Sequence, residues 1–235
     1  MEESVFTILA TGLFLLLLGI LVRLIQVLPC CHMRKHATSK RDLLLLKNAT
    51  NKKKCLMVLL GSGGHTGEML RILEQWSTGI NNLHREYVIS SGDSTSVLKL
   101  KKFEDNLLGN NAKDYGITTI YRARNIGEGK IKAVINTLLS FKSTLINLIL
   151  SRLKNQPDVF LTNGPGTAIP IAYMLFILKL FGLCSTKIIY VESLARVKEL
   201  SLTGFLILPI SDRIIVQWEP LAKRYRRCEY YGILV

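Results

Sequence analysis

Carboxylates are scarce in this chain, 17 against 31 lysines and arginines, and no two aspartates stand one residue apart. Without an Asp-x-Asp pair there is no support for the carboxylate clamp that usually holds a divalent metal beside a sugar nucleotide. Cysteine is sparse as well: five residues, an odd number, with neither Cys-x-x-Cys nor the Cys/His spacing of a zinc site. A disulfide framework and a metal centre are both left without support, and no metal ligand is assigned. Aromatic residues make up only 8%, too few for the stacking platforms that accompany basic nucleic-acid grooves. The net charge of +14 therefore fits an anionic membrane surface, or plain solvated lysines, better than nucleic acid. No serine or cysteine nucleophile sits on a recognisable elbow, and no internal repeat is visible.

Apolar residues, by contrast, are plentiful: 49% of the chain, with a mean hydropathy of +0.27. The excess is concentrated at the start. Val5 to Val22 carries no charge, and roughly 18 such residues are about the minimum that crosses a hydrocarbon core. Leu24, Ile25, Val27 and Leu28 extend the run, with Arg23 snorkelling to the interface. A cleaved signal peptide fits poorly, because Glu2 and Glu3 replace a basic leader and Leu28-Pro29-Cys30-Cys31 is a poor cleavage site. Residues 1–28 are therefore expected to be a lumenal N-terminus and an uncleaved single-pass anchor. Arg34, Lys35, Lys40, Arg41, Lys47 and Lys52–Lys54 all follow it, which predicts a cytosolic globular part. That topology leaves Asn48-Ala49-Thr50 unglycosylated; Cys30-Cys31 stand where palmitoylation occurs, although plain thiols are the simpler expectation.

Residues 29–54 read as a basic linker with a short helix over Leu43–Leu46, and 55–235 as one domain. Predicted strands are Cys55–Leu60, Glu86–Ser90, Thr118–Tyr121, Asp158–Leu161, Lys187–Val191 and Arg213–Val216. Between them lie predicted helices over Thr66–Trp76, Thr95–Asn106, Ile131–Lys154, Ala168–Phe181, Leu202–Leu208 and Pro220–Arg227. Strands alternating with helices predict an α/β, Rossmann-like domain with a parallel sheet. The apolar run from Ala168 to Leu178 is too short to cross a bilayer comfortably, so burial against the sheet is expected. Exposed faces of this helix or of Leu202–Leu208 leaning on the bilayer remain an alternative.

Chemistry gathers at three predicted strand ends. Gly61-Ser62-Gly63-Gly64-His65-Thr66-Gly67-Glu68 follows the first strand and opens a helix, an anion-ready arrangement of backbone N–H groups and helix dipole. It lacks the Lys-Ser/Thr of a Walker loop and the third glycine and ribose-binding acid of a dinucleotide fingerprint. A purely structural turn would also use these glycines. His65 sits among them, and a histidine there is able to take a proton near neutral pH. Thr162-Asn163-Gly164-Pro165-Gly166-Thr167 is a second turn, where Asn163 either orients a sugar hydroxyl or serves a backbone turn. Glu192, at the third strand end, is a second candidate for proton abstraction; its plain alternative is a cap or an ion pair with Arg196.

At Gly63-Gly64-His65-Thr66-x-Glu68-Met69, Thr162-Asn163-Gly164-Pro165-Gly166-Thr167 and Val191-Glu192-Ser193-x-Ala195-Arg196 the chain resembles one family. This is the membrane-anchored subunit of the bipartite UDP-N-acetylglucosamine transferase of dolichol-linked oligosaccharide (N-glycosylation) biosynthesis. The Gly-Gly-His turn is more distantly similar to the acceptor domain of the bacterial cell-wall lipid disaccharide transferase. The resemblance implies the acceptor half of a GT-B glycosyltransferase at the cytosolic face of the endoplasmic reticulum, unfinished without a soluble donor-binding subunit. The expected reaction is β1,4 transfer with inversion onto N-acetylglucosamine-diphosphodolichol, with His65 the first choice and Glu192 the second as base. Gly63, Gly64, Thr66, Asn163, Gly164, Gly166, Thr167 and Arg196 form the substrate-binding set, the glycine loop holding either the acceptor's or the donor's diphosphate. Tyr230, Tyr231, Gly232, Ile233, Leu234 and Val235 are implied to bind the partner. No cofactor is expected in this chain, and UDP-N-acetylglucosamine is bound mainly by the partner. Two other classes stay open at this point: a non-catalytic recruitment subunit, and a membrane-bound dinucleotide-dependent oxidoreductase.

Overall fold

The computed structural model describes residues 2–31, 54–108, 115–121 and 156–235, with positions 139, 141, 142 and 144 between the last two. The linker with its Leu43–Leu46 helix, and most of the Ile131–Lys154 helix, lie outside the described residues. Seven strands form one parallel sheet: β1 Cys55–Leu60, β2 His84–Ser90, β3 Tyr115–Ile120, β4 Val159–Thr162, β5 Lys187–Val191, β6 Arg213–Val216 and β7 Cys228–Tyr230, in the order β3-β2-β1-β4-β5-β6-β7. The described helices are α1 Glu2–Val27, α2 Gly64–Gln75, α3 Ser77–Ile80, α4 Ser94–Leu108, α5 Ala168–Leu180, α6 Leu202–Ile207 and α7 Glu219–Arg224, with a 3₁₀ turn at Pro29–Cys31.

Strand pleating divides the core in two. Side chains alternate across a strand, so Leu56, Val58 and Leu60 of β1 pack with Met69, Leu70 and Leu73 of α2. Met57 and Leu59 face the other way, onto Ile171, Ala172 and Leu175 of α5. Both faces of β1 are thus covered, which explains its unbroken apolar run. Burial of α5 against the sheet follows the sequence-based expectation: Ala168, Pro170, Ile171, Ala172, Leu175 and Phe176 are inside. Its length of 13 residues corresponds to only about 20 Å at the α-helical rise.

Helix α1 contains a 23-residue apolar stretch, Val5–Val27, none of whose most apolar part is buried. By length and composition it is a candidate membrane span. Its last turn docks on the domain, with Leu24, Val27 and Leu28 against the α5 side of the core. Arg23 donates from Nε to the Leu180 carbonyl at 3.1 Å and from Nη2 to that of Lys179 at 3.4 Å. A cation thus closes the carbonyl end of α5.

On the α2–α4 side, Arg85 and Glu104 are 1% and 0% exposed and pair through two contacts of 3.0 and 3.1 Å. Arg85 Nη1 also donates to the carbonyls of Ile80 and Leu83, and the Tyr87 hydroxyl donates to Glu104. Burial, then Glu104, pushes the Tyr87 phenol far above its ordinary range. Removing one partner strands the other charge in the core, so Glu104→Gln is expected to cost about 3–5 kcal/mol. Urea unfolding of the full chain measures it; a loss under about 1 kcal/mol would class the pair with surface ion pairs instead.

The sheet also extends further than the sequence suggested. Cys228–Tyr230 pairs in parallel with β6, so Tyr230, expected among the partner-binding residues at the chain's end, belongs to an edge strand. Three residues are too short for their alternation to register. Tyr115 to Ile117 likewise join β3 ahead of its predicted start at Thr118.

Candidate functional site

Strand order reverses between β1 and β4: β2 lies beyond one, β5 beyond the other. In open parallel sheets that reversal opens a crevice at the carboxyl ends of the two strands. The two glycine turns follow these two strands, and they touch. A Cβ added to Gly61 would stand 2.8 Å from His65 Cβ and 3.0 Å from Pro165 Cβ and Cγ. Gly164, at φ 111°, passes beneath the imidazole: a Cβ there would lie 3.5 Å from His65 Cε1 and 3.0 Å from the Tyr190 hydroxyl. Ends of β1, β4 and β5 therefore meet around His65. Any side chain at Gly61 would push the first two apart.

Helix α2 opens into this crevice. Its N-cap is Gly63, at φ 66°, which offers no side-chain hydrogen bond to the first turn. The leading N–H groups of a 12-residue helix are left for an anion, together with the positive end of its dipole. Helix α5 is different. Ala168 donates to the Pro165 carbonyl at 2.8 Å, Ile169 to Gly166 at 3.2 Å, and Pro170 has no N–H. An anion is favoured at the α2 mouth.

Polar side chains link the three loops. Asn163, 1% exposed, donates from Nδ2 to the His65 carbonyl at 2.7 Å and, more weakly, to Glu68 at 3.5 Å. The other oxygen of Glu68 accepts from the Ser193 hydroxyl at 2.9 Å. His65 Nδ1 lies 3.9 Å from Glu68 Oε2, one helical turn away. Three neighbouring buried atoms, His65 Nδ1, Thr162 Oγ1 and Asn163 Oδ1, have no hydrogen-bond partner. Buried polar atoms are rarely left so; two of these belong to His65 and Asn163, which are joined through the His65 carbonyl.

Several of the expected ligands are buried and bonded within the scaffold. The Thr66 hydroxyl is fully buried; it donates to the Gly61 carbonyl and lies 2.7 Å from Ser96 Oγ, itself bonded to Asp93. Thr167 is 4% exposed. Glu192 is 1% exposed and accepts four hydrogen bonds, from the Tyr190 hydroxyl, the Ser193 N–H, and the N–H and hydroxyl of Ser201. A carboxylate so occupied has no lone pair facing an acceptor hydroxyl. Its work is to fold the loop from Ser193 to Ser201 back onto β5, and we assign it a positioning role rather than the base role the strand-end pattern suggested. Gly204 is matched to this arrangement, since a Cβ there would come within 2.5 Å of Glu192. Burial, and then the charge of Glu192, raises the Tyr190 phenol well above its ordinary range. Gly63, Gly64 and Gly166 are exposed at the crevice edge, as is Arg196 on the third loop.

Glu68 and Ser193 gained no individual role from the sequence, yet they tie α2 to β5. The available signal was Glu68 three residues after His65, one helical turn on. The C-terminal segment reaches the same edge. Leu234 donates its N–H to Gln217 Oε1 at 3.1 Å, and Gln217 Nε2 donates to the Glu192 carbonyl at 3.1 Å. Leu234 packs onto the core, while Tyr230, Tyr231 and Ile233 are 42%, 52% and 55% exposed. Tyr231 is held by Arg213 and Glu229.

A doubly covered parallel sheet with a glycine-lined crevice at its switch point is one Rossmann-like lobe of the GT-B glycosyltransferase fold. Two solved structures share it: MurG from Acinetobacter baumannii, with a TM-score of 0.51 and 13% identity, and the glycotransferase of kitacinnamycin, with 0.50 and 12%. The chain's matches take in 77% and 78% of it but only 46% and 52% of those proteins, so it spans about half their length. Residues 56–234 match the family described as oligosaccharide biosynthesis protein Alg14 like, and the chain belongs to that family. Curated relatives named UDP-N-acetylglucosamine transferase subunit ALG14 include that of Debaryomyces hansenii, 50% identical over 91% of this chain and 90% of its own length. Those of Candida albicans (45%; 93% and 92%) and Homo sapiens (37%; 77% and 82%) are also similar.

Proposed function

We propose that this chain is the membrane subunit of a heteromeric glycosyltransferase and supplies its acceptor-binding lobe. The donor is UDP-N-acetylglucosamine, held mainly by a soluble partner. The acceptor is N-acetylglucosamine on diphosphodolichol at the cytosolic face of the endoplasmic reticulum, where α1 and the basic residues that follow it anchor the chain. One observation carries this reading: the ends of β1, β4 and β5 converge on His65 beside an uncapped helix mouth. The names of the relatives supply the sugar nucleotide and the word subunit.

In the proposed reaction, the acceptor's 4-hydroxyl attacks the anomeric carbon of the donor sugar while the bond to UDP breaks, giving a β1,4 link with inversion. His65 takes the hydroxyl proton as the new C–O bond forms, and UDP leaves with the bonding electron pair. Glu68 lies on the Nδ1 side of the ring, where its charge stabilises the imidazolium that results. The α2 N–H groups hold a diphosphate, which we assign to the acceptor. The chain's end reaches the crevice edge of the sheet through the hydrogen bonds from Leu234 to Gln217 and from Gln217 to Glu192, so a partner bound at the exposed Tyr230 and Ile233 lies beside the crevice.

Photoaffinity labelling of the assembled pair tests the division of labour. A photoreactive lipid-diphosphate-N-acetylglucosamine is expected to mark residues 61–68 or 162–167 of this chain, and a photoreactive UDP sugar to mark chiefly the partner. An acceptor probe that labels the partner alone would overturn the assignment. Efficient UDP-sugar labelling of this chain by itself would do the same.

A further inference from the structure

A second concave site lies at the opposite edge of the sheet, where α1 meets the domain. A cavity of about 720 Å³ opens there, lined by five cations. They converge from separate elements: Arg23 from the end of α1, Lys179 from the last turn of α5, Lys187 from the start of β5, and Arg226 and Arg227 from the turn before β7. Only two carboxylates share the lining, and both are engaged. Asp212 takes Lys179 at 2.7 Å and Lys187 at 3.5 Å, while Glu229 takes Arg213. The guanidiniums of Arg23 and Arg227 are held by main-chain carbonyls, Arg227 by those of Leu208 and Ser211. Carbonyl dipoles orient a guanidinium without cancelling its charge. Burial lowers the Arg227 pKa from its ordinary value.

The rim is apolar. Phe181 and Leu183 are 68% and 58% exposed, and they flank Gly182, where a Cβ would lie 3.7 Å from Arg23 Nη2. Helix α1, long and apolar enough to cross a bilayer, departs from the same place. A cationic hollow bordered by exposed apolar residues at the foot of a membrane helix has the polarity pattern of an amphiphile. Basic pockets at such junctions suit anionic head groups. A free phosphate would meet the guanidiniums but gain nothing from Phe181 and Leu183.

We propose that this cavity binds the head group of an anionic phospholipid, with the acyl chains lying along α1 and against Phe181 and Leu183. The lipid pins the domain to the bilayer at a second point beside α1, away from the crevice at the other strand edge. It rests on α1 as a membrane span and is read by lipid binding, independently of transfer.

The test is native mass spectrometry of the full chain in detergent, titrated with phosphatidylserine or phosphatidylcholine of matched acyl chains. Phosphatidylserine is expected to bind roughly tenfold more tightly: both lipids carry a phosphodiester, but phosphatidylserine keeps a net negative charge, whereas the choline ammonium of phosphatidylcholine is repelled by the clustered cations. Lys187→Gln combined with Arg226→Gln, at solvent-facing positions, removes that preference at an unchanged unfolding temperature. Phe181→Ser with Leu183→Ser weakens both lipids and keeps the preference. Equal binding of the two lipids, or a preference that survives in the lysine–arginine double variant, would overturn the proposal. So would displacement of phosphatidylserine by inorganic phosphate at comparable concentration, which would identify a small-anion site.

Discussion

His65→Ala, in the assembled two-subunit enzyme, is expected to lower kcat by about 10²–10⁴-fold, the usual contribution of a positioned general base. The imidazole lies over Gly164 and within reach of the Glu68 carboxylate, while its main-chain carbonyl is anchored by Asn163. Alanine keeps that backbone anchor and the α2 helix mouth, so KM for the acceptor is expected to change far less than kcat. Glu68→Gln should cost less than His65→Ala, because Glu68 acts through the ring and through Ser193. Glu192→Gln should act on stability first, since it weakens a buried network of four donors. The measurement is steady-state extension of lipid-linked N-acetylglucosamine, with co-purification of the partner as the control for assembly. Unchanged turnover by a His65→Ala pair that assembles normally would remove His65 from the base role and favour a recruitment subunit.

The central strands were legible in the sequence because both their faces are buried. Cys55–Leu60 and Lys187–Val191 read as short apolar runs, and both occur with the bounds expected. The crevice was legible for a related reason: a glycine turn that follows such a strand and opens a helix has few uses, and two of them flank the switch point. What could not be read was the pairing of side chains across loops. Nothing local distinguishes a carboxylate that faces substrate from one that folds its own loop, and the hydrogen bonds of Glu192 run to its own loop. The link from Glu68 to Ser193 spans 125 residues and leaves no periodic trace. Strand β7 escaped notice because Cys228-Glu229-Tyr230 gains its strand character from β6 rather than from its own pattern. Arg85 and Glu104 stand nineteen residues apart, and nothing in the local sequence marks them for the core where folding brings them together.

The second large effect is all-or-none dependence on a partner. The fold matches about half the length of the MurG and kitacinnamycin glycotransferase structures, the curated relatives are named as a subunit, and in the function we propose the donor is held by the partner. A base and a diphosphate cradle cannot transfer a sugar until a donor is held across from them. The decisive measurement is transfer of labelled N-acetylglucosamine from UDP to a lipid-diphosphate acceptor by this chain alone, by the partner alone, and by the two together in one membrane. The account predicts transfer by the pair and background from either alone. Sustained turnover by one polypeptide without the other would contradict it.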